Sequence, residues 1–422
     1  MKKRGMVALL VFCMTLGIAG CGQQKVKPVY TVSRTEADFE EQESGAGQGD
    51  VLRNGINHFA YDMYDELPEG ENLFFSPYSL CTALSLLDVG AGTETKKELE
   101  ELLGITNPDA WNQEMRAYLE KEWTDDTYVM TADSIWMQEG KEWSETIEED
   151  FLVPAGYYYK SELYEADFKG NPKEAVSRMN AWADKNTKGM IQKVVDKLET
   201  DTAMALMNAV YFEGKWEKPF EAAKTYEQTF YGTDGDVQTT MMHQHGEYYA
   251  YAEADGIKGI SLPYQDSSVV MKVFLPIEED GDIEALFAAL SYEEKEALLN
   301  SLDTAEKESI ANLALPKFTM EKETEDLNEI LQNMGMETAF SPDADFDSIC
   351  EDLYVSQVLH KAKIEVDEEG TKAAAVTVVV TKDECAMPEE NPIFFVADRP
   401  FLCVLQDTQT GMILFMGRIN NL

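Results

Sequence analysis

The sequence predicts a single α+β domain, and three observations carry the assignment. Apolar residues at helical spacing fill the first third of the body, strand-like runs dominate from Phe230 onward, and no repeat or linker divides the two. With 422 residues, 44% of them hydrophobic, the chain is long and apolar enough for a sizeable core. A formal charge of -44 excludes nucleic acid as a partner, because so acidic a surface repels phosphates over most of its area.

The elements follow in order. Ile56, Phe59, Ala60 and Met63 predict a helix over Asn54–Leu67, stopped by Pro68 and Gly70. Ser76 is placed to cap a second helix with Pro77 in its first position, and that helix, Tyr78–Leu87, is apolar nearly all round and so central. Gly90-Ala91-Gly92 closes it before a helix near Thr95–Leu103. Strands are predicted at Tyr128–Met137 and Met204–Phe212, separated by a helix at Pro172–Lys185. Asn208 interrupts the otherwise apolar run MALMNAVYF, and a buried amide demands a dedicated hydrogen-bond partner. Further strands are expected at Val269–Leu275, Leu313–Met320, Ala362–Val366, Phe401–Gln406 and Met412–Gly417, with helices at Asp282–Leu302 and Glu323–Met334.

The N-terminus reads as a processing segment. Lys2, Lys3 and Arg4 form a basic head, Val7–Ala19 an apolar core too short to span a bilayer comfortably, and Ile18-Ala19-Gly20-Cys21 looks like a bacterial lipobox whose thiol accepts a lipid. The expected organisation is a lipoprotein signal peptide over 1–20, a lipidated flexible tether over 21–50 and the folded domain over 51–422. This places the protein outside the cytoplasm, anchored to a bacterial membrane by Cys21, on the cell surface or released from it. Cys81, Cys350, Cys385 and Cys403 form neither a metal-ligand pattern nor a disulfide framework; Cys81 and Cys403 sit in apolar runs as core residues.

Catalytic constellations are missing from the pattern. The four histidines, His58, His243, His245 and His360, accompany no nucleophile elbow, and no glycine-rich phosphate loop is present. His243-Gln-His245 puts two imidazoles on one side of a strand but offers no identifiable third ligand, so a structural role is expected, with no metal and no cofactor.

The stretch Glu365–Met387 is the unusual one. Thr371–Thr381 has strong strand propensity and one charge, Lys372, yet charged, loop-like sequence flanks it on both sides. It reads as a strand held waiting in a loop. As a strand, Thr371, Ala373, Ala375, Thr377 and Val379 face one side, small at the start and β-branched later, and no proline interrupts the donors.

Eight motifs stand in one order: NLFFSPYS from Asn72 to Ser79; Asn180-Ala-Trp182 with Thr187, Gly189 and Ile191; NAVYFEGKWEKPF from Asn208 to Phe220; Leu315-Pro-Lys-Phe318; Ala344-Asp-Phe346; His360-Lys-Ala362; Glu365–Ala375; and Arg399-Pro-Phe401 with Leu414–Gly417. In combination they resemble the serpin family of serine protease inhibitors, here of bacterial lipoprotein type, from about Asn54 to Leu422.

The resemblance implies helices packed on a large central mixed sheet plus two smaller sheets, with an exposed reactive-centre loop. It places Ser76, Ser79, Asn208 and His360 in the shutter beneath the central sheet, Trp216 at the breach, and Glu368, Gly370, Thr371, Ala373, Ala374 and Ala375 in the loop hinge. The implied function is suicide inhibition of an extracellular serine, or alternatively cysteine, protease by a monomer that contributes no catalytic residue; the alternative is a non-inhibitory serpin acting as a surface binding protein. Counting from Gly370 gives Glu384-Cys385 as the scissile bond. Lys382-Asp383 suits a trypsin-like enzyme and Thr381 or Val380 an elastase-like one, while a count backwards from Arg399 gives Glu389-Glu390. Lys372 departs from the acidic residue usual in the hinge, and Gly90-Ala-Gly-Thr93 from the family's glycine spacing.

Overall fold

The computed structural model describes residues 50–198, 202–324, 327–371 and 392–422. In chain order the first half holds α1 (Asp50–Glu66), β1 (Leu73–Phe75), α2 (Pro77–Gly90), α3 (Thr93–Leu103), α4 (Pro108–Leu119), β2 (Thr127–Gln138), α5 (Val153–Tyr159), β3 (Glu162–Ala166), α6 (Pro172–Asn186) and β4 (Met204–Lys215). Strands then dominate: β5 (Thr225–Gly232), β6 (Gly235–Gln244), β7 (Glu247–Ala254), β8 (Ile257–Pro263) and β9 (Val269–Pro276). After α7 (Ile283–Ala288) and α8 (Tyr292–Thr304) come β10 (Lys307–Pro316), β11 (Phe318–Thr324), α9 (Leu327–Asn333), β12 (Gln357–Val366), β13 (Gly370–Thr371), β14 (Ile393–Val396), β15 (Phe401–Asp407) and β16 (Met412–Ile419).

Among the described residues the strands form two sheets. The central one is mixed and runs β11-β12-β13-β4-β2-β3, with β12 and β4 also paired directly, in parallel. The other is a continuous ten-stranded ladder. The two smaller sheets expected from the sequence are joined in it by β10, whose first half pairs with β7 and whose second half pairs with β6 and, in parallel, with β14.

Local chemistry sets several boundaries. Asp50, assigned to the tether, is the first residue of α1. Ser76 caps α2 with Pro77 at its first turn, as the sequence requires, and the helix is buried along almost its whole length against both sheets. α4 escaped the sequence reading although Asn107 caps it and Pro108 opens it. The single helix predicted over Asp282–Leu302 is two, because Ser291 and Glu294 form a reciprocal capping box that starts α8 afresh. The strand predicted over Leu313–Met320 is also two. Pro316 ends β10 in one sheet, Lys317 intervenes, and Phe318 begins β11 in the other.

Alternation along β4 builds the core. Met204, Leu206, Val210 and Phe212 enter the main cluster between the sheets, whereas Ala205, Met207 and Ala209 join Leu359 in a second cluster on the opposite face. That second face is covered by Met179, Trp182 and Ala183 of α6 and by the strap that follows it, through Ile191, Val194 and Val195. The strap is tied down by Asn180, whose Oδ1 accepts from Val194 N (2.7 Å) and Val195 N (3.0 Å) and whose Nδ2 donates to Val195 O (2.7 Å). Thr187 closes the turn by accepting from Ile191 N (2.9 Å). Removing the amide leaves three backbone groups without these partners, so Asn180→Ala is expected to lower stability by about 2 kcal/mol, read as an earlier urea midpoint; an unchanged midpoint would mean that the strap is held by packing alone.

Candidate functional site

Three neighbouring strands carry one polar row across the central sheet. Asp133 of β2 stands opposite Asn208 of β4, and Asn208 opposite His360 of β12. All three are buried and face α2. The His360 ring accepts from the backbone N–H of Ser76 at Nε2 (3.2 Å), which assigns its proton to Nδ1, and Nδ1 donates to Asn208 Oδ1 (2.5 Å). Asn208 Nδ2 lies within bonding distance of Ser79 O (3.0 Å), Ser79 Oγ (2.5 Å) and Asp133 Oδ1 (2.6 Å). Ser76 Oγ donates to Leu414 O of β16 (2.6 Å), so the second sheet is joined to the row, and Ser79 Oγ pairs with Thr131 Oγ1 (2.8 Å).

The four residues assigned to the shutter are thus brought together, and the partner demanded by Asn208 is found several times over. Sequence reasoning missed Asp133. The signal was available, because a lone carboxylate in the middle of TYVMTADSIWMQ is as anomalous as the amide of Asn208. Burial pushes the Asp133 carboxyl up to about 7, with Asn208 opposing, and burial pulls His360 down to about 3.

Above the row, the central sheet is pried apart. β12 and β4 pair directly from Gln357–Lys363 with Ala205–Tyr211, and beyond them β13 lies between the two strands, antiparallel to both. Gly370 opposes Lys215 and Thr371 opposes Gly214. Any Cβ on Gly370 would stand 2.0 Å from Gly214 O, so this close approach of backbones requires glycine. Thr371 is fully buried and its Oγ1 meets Tyr264 OH (2.6 Å), which fixes the face carrying Thr371 toward the core between the sheets.

Trp216 closes the top of this gap. Its ring stacks on Tyr264 with centroids 4.6 Å apart, its Nε1 donates to Asp367 O (3.0 Å), and its backbone N–H donates to Glu369 O (2.9 Å). The turn leading into β13 is folded around Asp367 Oδ1, which accepts from Glu369 N and Gly370 N. Glu368 pairs with Lys317 (2.6 Å), the residue at which the chain changes sheets between β10 and β11. The residues assigned to the breach and to the start of the hinge thus form one contact set. Ala373, Ala374, Ala375, the Glu384-Cys385 bond and its alternatives, and Cys21 lie outside the described residues.

His243 is buried, stacks on Tyr226 at 4.4 Å and bonds Asn312 through Nδ1, and the rings of His243 and His245 are 6.1 Å apart. Among the described residues no group of three or more His, Cys, Asp or Glu is placed to hold a metal, and Cys81, Cys350 and Cys403 are buried free thiols.

A family model described as serpin (serine protease inhibitor) matches residues 54–422. Similar chains include an uncharacterized serpin-like protein of Thermococcus kodakarensis, 33% identical over 98% of each chain, and alpha-1-antiproteinase S of Cavia porcellus, 30% identical over 90% of this chain and 93% of the other. Among solved structures, the thermophilic serpin Tengpin in its native state matches with a TM-score of 0.79 at 29% identity, covering 94% of this chain and 97% of that one. Human thyroxine-binding globulin complexed with its hormone matches with a TM-score of 0.76 at 26% identity, covering 88% and 99%.

The two titrating members of the row oppose each other in pH. A carboxyl whose folded pKa is raised contributes stability that is lost as pH climbs toward about 7, whereas the lowered histidine contributes stability that is lost as pH falls from about 6.5 toward about 3. Between roughly pH 4 and 6.5 the slopes offset. Asp133→Asn removes one slope, so its urea midpoint is expected to gain on the parent's as pH rises from 4 to 7. A difference between the two proteins that does not change with pH would show that Asp133 does not titrate in this window.

Proposed function

The chain belongs to the serpin family, whose members are in general protease inhibitors and not catalysts, and we propose that it is a suicide inhibitor that traps an extracellular serine protease. The observation that carries this reading is the placement of β13 between β4 and β12, above a directly paired stretch of those two strands. A new strand continuing from Thr371 in that direction would replace one parallel pairing with two antiparallel ones, the more stable arrangement per residue. Some ten added backbone hydrogen bonds at about 0.5–1.5 kcal/mol each give roughly 5–15 kcal/mol, comparable with the stability of a whole domain.

What restrains the intact chain is attachment at both ends. β13 holds the upstream end of the segment, while Ile393–Val396 pair with β10 in the other sheet at the downstream end. Full insertion of an uncut segment would have to strip β14 from β10. In this reading a protease that attacks the segment forms an ester with its upstream half and cuts the downstream restraint. The strand then zips down between β4 and β12, carrying the acyl-enzyme by some 45 Å if about 14 residues insert at about 3.3 Å each. The Asn208–His360 link of the polar row lies on the path and would have to part, while Asp133 stays paired with Asn208 on the β2 side of β4.

Inserted as a strand, the segment would by alternation carry Ala373 and Ala375 on the same face as Thr371. The scissile bond is assigned to Glu384-Cys385 by the count from Gly370. Lipidated Cys21 would hold the inhibitor on the outer side of a bacterial membrane.

Incubating the soluble domain from Asp50 with a protease panel should give a covalent complex stable to denaturing electrophoresis, with a released C-terminal peptide beginning at Cys385. Cleavage without a complex by every enzyme would instead favour a non-inhibitory binding protein. Ala373→Arg is expected to convert inhibitor to substrate, and undiminished trapping by that variant would overturn the assignment of faces. Cys21→Ser should release the full-length protein from the membrane fraction of a bacterial host; retention there would reject the lipid anchor.

A further inference from the structure

Two imidazoles on the second sheet have no part in strand insertion. Met242 of β6 enters the core cluster, so alternation turns His243 to the opposite face, and His245 follows it just past the end of the strand. Exposed Tyr226 of β5 stacks on the His243 ring with centroids 4.4 Å apart, and exposed Phe394 of β14 stands opposite Asn312 of β10. Each imidazole has its Nδ1 engaged by an oxygen. His243 Nδ1 meets Asn312 Oδ1 (3.1 Å), and His245 Nδ1 meets the carbonyl of Ala311 (3.3 Å), which sits in the irregularity of the β10–β14 ladder between Ile310 and Asn312. A carbonyl oxygen can only accept, so both rings carry their proton on Nδ1 and both Nε2 atoms present a lone pair. His243 is 2% exposed, and its Nε2 is buried with no hydrogen-bond partner; the His245 ring is exposed.

Two neighbouring lone pairs, each on a ring whose other nitrogen donates to an oxygen, match one chemistry. Imidazoles that bind metals almost always donate their second N–H in this way, which fixes the tautomer and raises the basicity of the ligating nitrogen. We propose that His243 and His245 together bind one late first-row divalent ion such as zinc through their Nε2 atoms. An ion bonded to imidazole nitrogen at about 2.0–2.1 Å stands roughly 3.2 Å from the ring centre, so rings with centroids 6.1 Å apart can share one ion once the exposed His245 ring turns toward it. No third His, Cys, Asp or Glu among the described residues joins them, so water fills the remaining positions and the site is an open one. Two nitrogen ligands favour zinc, copper or nickel and offer little to the oxygen-seeking magnesium and calcium. The ion reaches His243 past the ring of Tyr226, which belongs to the edge strand β5. Occupancy holds His243 against Asn312, beside the register at which β14 docks on β10, and stabilises the folded form by preferential binding.

The test uses the untagged whole chain near pH 7.5, with zinc chloride as probe and magnesium chloride as the oxygen-seeking counterpart. Titration calorimetry is expected to give a saturable zinc site, and the thermal midpoint should rise with zinc and not with magnesium. The chain has only four histidines, so ring-nitrogen NMR can tell which of them bind: two of the four Nε2 signals should move on adding zinc, both from rings protonated at Nδ1. His245→Gln, at an exposed position, should weaken zinc at least about tenfold and remove the thermal shift, whereas His58→Gln on α1 should leave both unchanged. Zinc held instead by carboxylates or a thiol would bind His245→Gln as well as the parent, and that result would overturn the proposal. So would the absence of saturable binding, an equal response to magnesium, or a proton found on Nε2 of either ring. None of these readouts involves a protease, so they stand or fall separately from inhibition.

Discussion

Everything in this molecule depends on how β4 and β12 are held together. Their pairing is parallel, it is the less stable kind of ladder, and at its centre a histidine and an asparagine replace apolar side chains. An all-apolar seam would be sealed by packing alone. Here the seam is held by directional bonds from Ser76 and Ser79 at the start of α2, from Asp133 on β2 and from the Ser76–Leu414 link to the second sheet. Such bonds are worth little net when exchanged for equivalent partners and much when left unmade, so the seam resists opening yet tolerates a rearrangement that re-satisfies each group.

The covering of the sheet obeys the same logic. On one face the seam looks onto the main core; on the other it lies beneath α6 and the strap pinned by Asn180. The upper end is occupied by β13, whose glycine approaches the backbone of Gly214 too closely for any side chain. Trp216, Tyr264 and the turn at Asp367 hold this wedge in position. A sheet that is closed at its middle, strapped outside and already entered from one end has the geometry that the proposed insertion requires.

Much of this was legible in the sequence, for identifiable reasons. Ser76 before Pro77, the amide of Asn208 in an apolar run and the small residues after Gly370 are local anomalies with local causes, and the structure brings Ser76, Ser79, Asn208 and His360 within hydrogen-bond reach of one another. Part of what escaped depends on pairing between distant segments. Phe318 continues the apolar pattern of Leu313–Leu315, and nothing at Lys317 announces that the next residues belong to another sheet. The break at Ser291 was legible from Ser291 and Glu294 but was overridden by uninterrupted helical periodicity. The lone carboxylate of Asp133 is a legible anomaly in TYVMTADSIWMQ, but its partner follows only from its register opposite Asn208.

The position of β13 also bears on how the chain reaches this state at all. Val366 and Thr371 pair across a short turn, a contact that closes quickly, whereas Gln357 must find Ala205 about 150 residues back. A nascent hairpin of β12 with the segment after it is thus the faster event, and carried further it would fill the gap before any protease arrived. On the inhibitor reading, folding is a race between that hairpin and the docking of β14 on β10, which holds the far end of the segment in the other sheet. The docking of β14 would then act as a timing device, with the useful state the one reached first.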